Sequence, residues 1–171
     1  MSGTAIGISL GLGYAGTPTR QEDNIIRNRI SGESSANIVF GAPVVLASDN
    51  TYKNWGASNV AADFAGVAVV NVKTNQTAYA SGSIGSGYYS PKQAVDVLER
   101  GSIAVFCKTG TPTAGGKVYI RTVAATGKEI GDFEAAADEG KNVEITNAKW
   151  TTGKIDSSLL AEVTLLSRMN P

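Results

Sequence analysis

Apolar and polar residues alternate along this chain over short runs, each closed by glycine, proline, asparagine or serine. The run at 93–122, QAVDVLERGSIAVFCKTGTPTAGGKVYIRT, sets the pattern. Ile103, Val105 and Cys107 fall on one side of an extended chain, and Val118 with Ile120 on one side of another, which is the two-residue period of half-buried strands. Three strands are predicted here, at 94–98, 102–108 and 117–122, with a turn at Gly101 and a hairpin loop through Gly110, Pro112, Gly115 and Gly116. Residues 90–101 also carry the frame of a short helix, with Pro91 near its start and Gly101 beyond its end. The strand is preferred because Val95 and Val97 alternate with Asp96. A meander of this size needs further strands to cover it.

The remaining runs supply them. IVFGAPVVLA at 38–47 reads as one strand whose Pro43 confines it to an edge, a bulge or a first position. Residues 48–62 read as a long loop carrying Tyr52 and Trp55. FAGVAVVNVKT at 64–74 puts Val67 and Val69 on one face and Ala68, Val70 and Val72 on the other, so this strand is expected at the centre of the sheet. Residues 75–90 turn to Gly, Ser, Thr, Ala and Tyr, the composition of a surface loop or flexible hairpin bearing Tyr79, Tyr88 and Tyr89. Five carboxylates between Glu129 and Glu139 mark 124–142 as a solvated insertion. Strands at 143–150 and 159–166 follow, the second with Leu159, Ala161, Val163 and Leu165 on one face, closing a barrel or sandwich. No repeat of fixed period is present.

Residues 1–37 differ from this body at 38–171. They are Gly-rich to Gly16 and then polar, with only 23–30 long enough to make about two helical turns. This segment is expected to be an extended arm. Ile25, Ile26 and Ile30 are costly in a solvated tail, so they are expected to bury against a neighbour while Arg20, Arg27 and Arg29 meet carboxylates around them.

Composition narrows the classes. Of 171 residues, 20 are glycine and only 7% aromatic, which suits many short strands in one domain with a core of its own. Fifteen basic and fifteen acidic residues cancel, which removes the electrostatic footprint of a nucleic-acid or membrane-surface binder and protects weakly against self-association. One cysteine and no histidine leave no internal disulfide and remove the commonest metal ligand and acid-base group. The opening MSGTAIGISLGLGYAG has no basic leader and no long apolar core, so neither a signal peptide nor a membrane span is expected, and synthesis in a cytoplasm is.

Candidate chemistry is thin. Gly11, Gly13 and Gly16 spell GxGxxG, but Pro18 and a polar segment follow where a dinucleotide site needs a helix. GTPTAGGKV has the wrong spacing for a phosphate loop, and Val118 stands where a hydroxyl would hold magnesium. Cys107 lacks an activating histidine and shares a face with Ile103 and Val105, as a core residue would. Asp132 with Glu134, or Asp138 with Glu139, are nominal acid-base pairs around which nothing builds a pocket, and no calcium-loop pattern is present. The sequon at Asn75 matters only after secretion. No catalytic residue, cofactor or metal is expected. A carbohydrate- or surface-binding β-module is the alternative to a structural role, with Tyr52, Trp55, Tyr88 and Tyr89 as an aromatic platform.

GAPVVLASDNT, AADFAGVAVVNVKT, YYSPKQAVDVLERGSIAVFC, AGGKVYI, NAKWTT and LAEVTLL, in that order across 38–166, together resemble the structural cement, or head decoration, proteins of tailed bacteriophages. The resemblance implies an all-β fold, a compact β-barrel or sandwich of β-tulip type with an extended N-terminal arm. It further implies a non-enzymatic protein on the virion, bound to the outer surface of the major capsid protein shell and stabilising the head. A homo-oligomer is expected, a trimer ahead of a dimer, with contacts from Arg20, Ile25, Ile26, Arg27, Arg29 and Ile30 of the arm and from Trp55 and Tyr88 of the loops.

Overall fold

A computed structural model describes residues 12–70 and 87–167, without the side chains of 21 and 22. Gly11, Val72, Asn75 and Tyr79 lie outside the described residues, as does most of the loop expected at 75–90. The described residues form eleven strands: β1 (Pro18–Ile30), β2 (Ile38–Val39), β3 (Pro43–Leu46), β4 (Tyr52–Asn54), β5 (Phe64–Ala68), β6 (Tyr88–Tyr89), β7 (Ala94–Thr109), β8 (Lys117–Arg121), β9 (Phe133–Glu134), β10 (Asn142–Ile155) and β11 (Leu160–Leu165). A single 3₁₀ turn, Ala61–Asp63, is the only helical piece among the described residues. The protein is all-β, a small barrel joined to a second β-layer.

Strand β7 holds the two parts together. β11 pairs antiparallel with its residues 101–106, β10 with β11, β8 with β10, and β9 bridges β8 back to Cys107 and Thr109 of β7, closing a five-stranded barrel. Near its other end, β7 pairs at Val97 and Leu98 with β5, which continues through β3 to β4. β1 runs antiparallel along β7 from Ile103 to Ala94, and a parallel bridge from Ser31 to Tyr52 ties its end to β4. Strands β2 and β6 form a separate two-stranded sheet.

Each part has its own apolar core. Ile103, Val105, Cys107, Val118, Ile120, Ile145, Trp150 and Val163 belong to one cluster, which also takes in Leu98, Val67 and Val69. Ile38, Phe40, Val44, Tyr52, Ala68, Tyr89, Val95 and Val97 form the other. β5 therefore buries Val67 on one side and Ala68 on the other, and it lies between β3 and β7 as its two apolar faces require. Cys107 is a buried core residue, in agreement with the alternation.

Four local expectations are corrected. Gly101 does not turn the chain; it sits inside β7 at a φ of 120°, a conformation strained for any residue with a β-carbon. Even-numbered Leu98 and odd-numbered Ile103 then face the same core, because the register against β1 slips around the glycine and resets the alternation. Residues 38–47 are two strands rather than one, divided by a turn at Gly41 with φ 78°, and Pro43 is the first residue of the second. Residues 23–30 are strand, not helix, since the backbone hydrogen bonds of this segment go to β7. Finally, β7 and β8 do not form a hairpin: β9, from the acidic insertion, lies between them.

A β-carbon at position 101 would run into the side chain of Asn24 on β1 as well as strain the backbone. Gly101→Ala is expected to lower stability by about 1–3 kcal/mol, measured as a shift in the urea unfolding midpoint. An unshifted midpoint would mean that β7 can bend without glycine.

Candidate interaction surface

The polar residues that hold β1 come from three places in the chain. Glu162 on β11 is buried and accepts from Thr19 Oγ1 at 2.6 Å and from Arg20 Nε at 3.0 Å. Glu99 on β7 is likewise buried; it takes the Tyr52 hydroxyl at 3.0 Å and pairs with Arg27 Nε at 3.2 Å. Arg100 meets Asp23 at 2.7 Å, and the Arg29 guanidinium lies 5.6 Å from the centre of the Tyr52 ring. All three arm arginines singled out in the sequence are thus engaged within their own chain. A carboxylate in a strand interior is stable only with such partners, which explains why β1 covers these two glutamates.

Of the arm's isoleucines, Ile25 is half-buried, whereas Ile26 at 44% and Ile30 at 57% remain exposed. They lie two positions either side of Asn28, whose side chain donates to Asp96, so one face of β1 presents an apolar pair flanking a polar link. The loop aromatics do not join this surface. Tyr52 and Tyr89 are fully buried and Trp55 is 4% exposed; Tyr88 alone is half-buried. The expected aromatic platform is therefore corrected: Tyr89 donates to the Val69 carbonyl at 2.7 Å and packs edge-on against Phe40 at 5.1 Å, while Trp55 packs against Phe64 at 6.4 Å. Large rings are scarce in this chain, and the two cores take both tryptophans together with Phe40, Tyr52, Phe64, Tyr89 and Phe133.

The acidic insertion is solvated over much of its length but not at its middle. Phe133 and Glu134 of β9 are buried in it, and Arg121 from the end of β8 donates through Nε to Glu134 Oε1 at 2.7 Å and through Nη2 to Glu134 Oε2 at 3.2 Å. The same Nη2 reaches Asp138 at 2.8 Å, and Asn142 donates to Glu134 Oε2 at 2.6 Å. The guanidinium beside Asp138 holds its carboxyl below the usual carboxylate range. These bonds use up the nominal acid-base pair at Glu134, and burial pushes the Cys107 thiol up, away from a reactive thiolate. Among the described residues, no cluster of acidic or sulfur ligands could hold a metal ion.

The insertion also closes a cavity of about 420 Å³ at the seam between the two parts of the fold. Pro43 and Trp55 line it from one side, Phe106 and Lys108 of β7 from another, and Ile130 to Phe133 of the insertion from a third. The sequence marked Trp55 as a contact residue but gave no sign of the concavity it borders. Glu99, Glu162 and Arg121 were missed altogether, and Glu134 was noted only as half of a nominal acid-base pair, although a charged residue flanked by apolar strand positions is the available signal for a buried pair.

A family model described as structural cement protein, of phages, matches residues 2–166. Among solved structures, a chain from the capsid of Myoviridae phage XM1 has a similar fold, with a TM-score of 0.68 over 91% of this chain and 90% of that one, at 16% sequence identity. No curated protein sequence matches.

Two measurements check the buried polar groups. Arg121→Met leaves the Glu134 carboxylate buried without its partner and is expected to cost about 3–5 kcal/mol in urea unfolding, while Arg121→Met with Glu134→Leu recovers most of the loss. Burial, ahead of the nearby Glu99, pushes the Tyr52 phenol from its ordinary 10.0 up to about 12. The folded state thus keeps a proton that the unfolded chain releases, so this contribution to stability is complete below pH 10.0 and is lost as pH rises to about 12. Tyr52→Phe should flatten that alkaline loss, followed by denaturation at stepped pH.

Proposed function

The chain belongs to the structural cement protein family of phages, and from that premise we propose that it binds the outer surface of the shell built by the major capsid protein and strengthens the head. The carrying observation is a family match over nearly the whole chain, residues 2–166. The capsid origin of the structurally similar phage XM1 chain supports the same reading. A cement protein makes no bonds and breaks none; it contributes contact area and rigidity. Two small cores sharing one strand, with the arm tied by exposed arginines to buried carboxylates and the insertion pinned by a buried ion pair, give a body that transmits load between whatever subunits it touches.

In this reading the protein is made in the host cytoplasm, ends on the virion, acts without enzymatic activity, and bridges coat subunits as a homo-oligomer, a trimer or a dimer. Ile26 and Ile30 are the arm residues that reach a partner, and half-buried Tyr88 on the separate two-stranded sheet is the loop residue that adds to the contact. Burying each isoleucine would contribute on the order of 1.5–3 kcal/mol before ordering costs, and exposed ion pairs about 0–1 kcal/mol each. The apolar contacts dominate. Because β1 is already ordered on β7, much of the entropy cost of an unstructured arm is met by folding rather than by binding.

Heads assembled without this protein are expected to lose packaged DNA at lower temperature than complete heads, and purified protein added back should restore the difference. Ile26→Asp with Ile30→Asp should fold normally and restore much less. Bare heads as heat-resistant as decorated ones would overturn the cementing role.

A further inference from the structure

The cavity at the seam has features that the fold does not need. Its walls are apolar, from Pro43, Trp55, Phe106 and Phe133, and its rim carries Val39 at 44% and Ile130 at 39% exposure. Two further side chains at the rim are acidic. Glu129 has no ion-pair partner among the described residues, and Asp132 accepts a hydrogen bond from the Glu129 backbone N–H at 2.7 Å. A single cation, Lys108, faces them, its Nζ lying 5.5 Å from the centre of the Phe106 ring. Two carboxylates against one ammonium leave the rim with one unmatched negative charge. Burial also pushes the Asp132 carboxyl up, as it would for an anion short of a counter-charge.

We propose that this cavity is a socket for a segment of the coat protein in which an aliphatic or aromatic side chain enters the apolar walls and an adjacent lysine or arginine meets Glu129 and Asp132. The volume, about 420 Å³, lies in the usual range of roughly 300–1,000 Å³ for occupied sites, enough for one large anchor and the stem of a long basic residue. An apolar pocket with a charged rim is the form that anchor residues take at protein interfaces, the pocket supplying affinity and the rim orientation. The charge excess selects a basic partner segment over an acidic one. The socket's location follows from the fold: the insertion that makes one wall is held to the barrel by the buried Arg121–Glu134 pair. This inference rests on the shell-binding reading above, and the test separates the two.

The experiment uses shells of the cognate coat protein assembled without this protein. Binding of the full chain is compared with that of Ile130→Asp, Glu129→Lys and, as a control outside the cavity, Ile155→Asp, all on exposed side chains; folding is checked by circular dichroism and urea unfolding. Ile130→Asp and Glu129→Lys should each weaken binding about tenfold or more, with Ile155→Asp unchanged, and the Glu129→Lys loss should shrink as salt rises. Unchanged binding by both cavity variants while the original chain binds would overturn the socket and leave the shell-binding reading standing. Equal losses from all three would overturn it too, as an effect not specific to the cavity. No binding by the original chain would overturn the reading on which it rests.

Discussion

Strand β7 must serve two cores at once, and the rest of the structure depends on how it does so. A regular strand offers one face to each side along its whole length. Here Val95 and Val97 point into one core and Ile103, Val105 and Cys107 into the other, all at odd positions. That is possible only because the strand changes direction and phase between them, at Gly101. β1, β5, β11 and β9 each take their register from this strand. The glycine is therefore the point at which a flat sheet becomes a barrel with a second layer attached.

Much of this was legible from alternation. β5 at the centre, β11 as the closing strand and Cys107 in the core all follow from runs in which burial is decided by the immediate neighbours. The misreadings have one physical source. Gly101 looks like a turn locally, because glycine permits a turn and a bend equally; only the strands on either side of β7 choose between them. Glu162 sits opposite the apolar face of β11 and reads as exposed until β1, some 140 residues earlier, brings Thr19 and Arg20 onto it. The acidic insertion reads as solvated because Arg121, which neutralises Glu134 and Asp138, lies before it on a different strand. The aromatic platform failed for a related reason: a side chain's type shows what it can bind, not whether a core has already claimed it.

The near-zero net charge also acquires a meaning that composition alone did not give. Several of the balancing charges are spent in pairs that pin one element to another: Arg20 with Glu162, Arg27 with Glu99, Arg121 with Glu134. Apolar replacements of such pairs are often as stable, so their contribution is better understood as selecting one arrangement of strands among several of similar burial. That matters for a fold with little aromatic bulk, in which many valine-rich strands could exchange places.

The position of β9 bears on how the protein reaches its folded state. Two residues of the insertion must slot between β7 and β8, parallel to the first and antiparallel to the second, before the barrel can close. Their pairing partners on β7 lie more than twenty residues away, and those of β11 lie farther still. Contacts this distant along the chain cost loop entropy before they return anything, which places barrel closure among slow folding events, milliseconds to seconds rather than microseconds. Reopening has to undo the same closure with Arg121 and Glu134 still buried against each other, so the barrier is high in that direction too. For the cementing role proposed above, a slow unfolding rate would matter more than a large equilibrium stability.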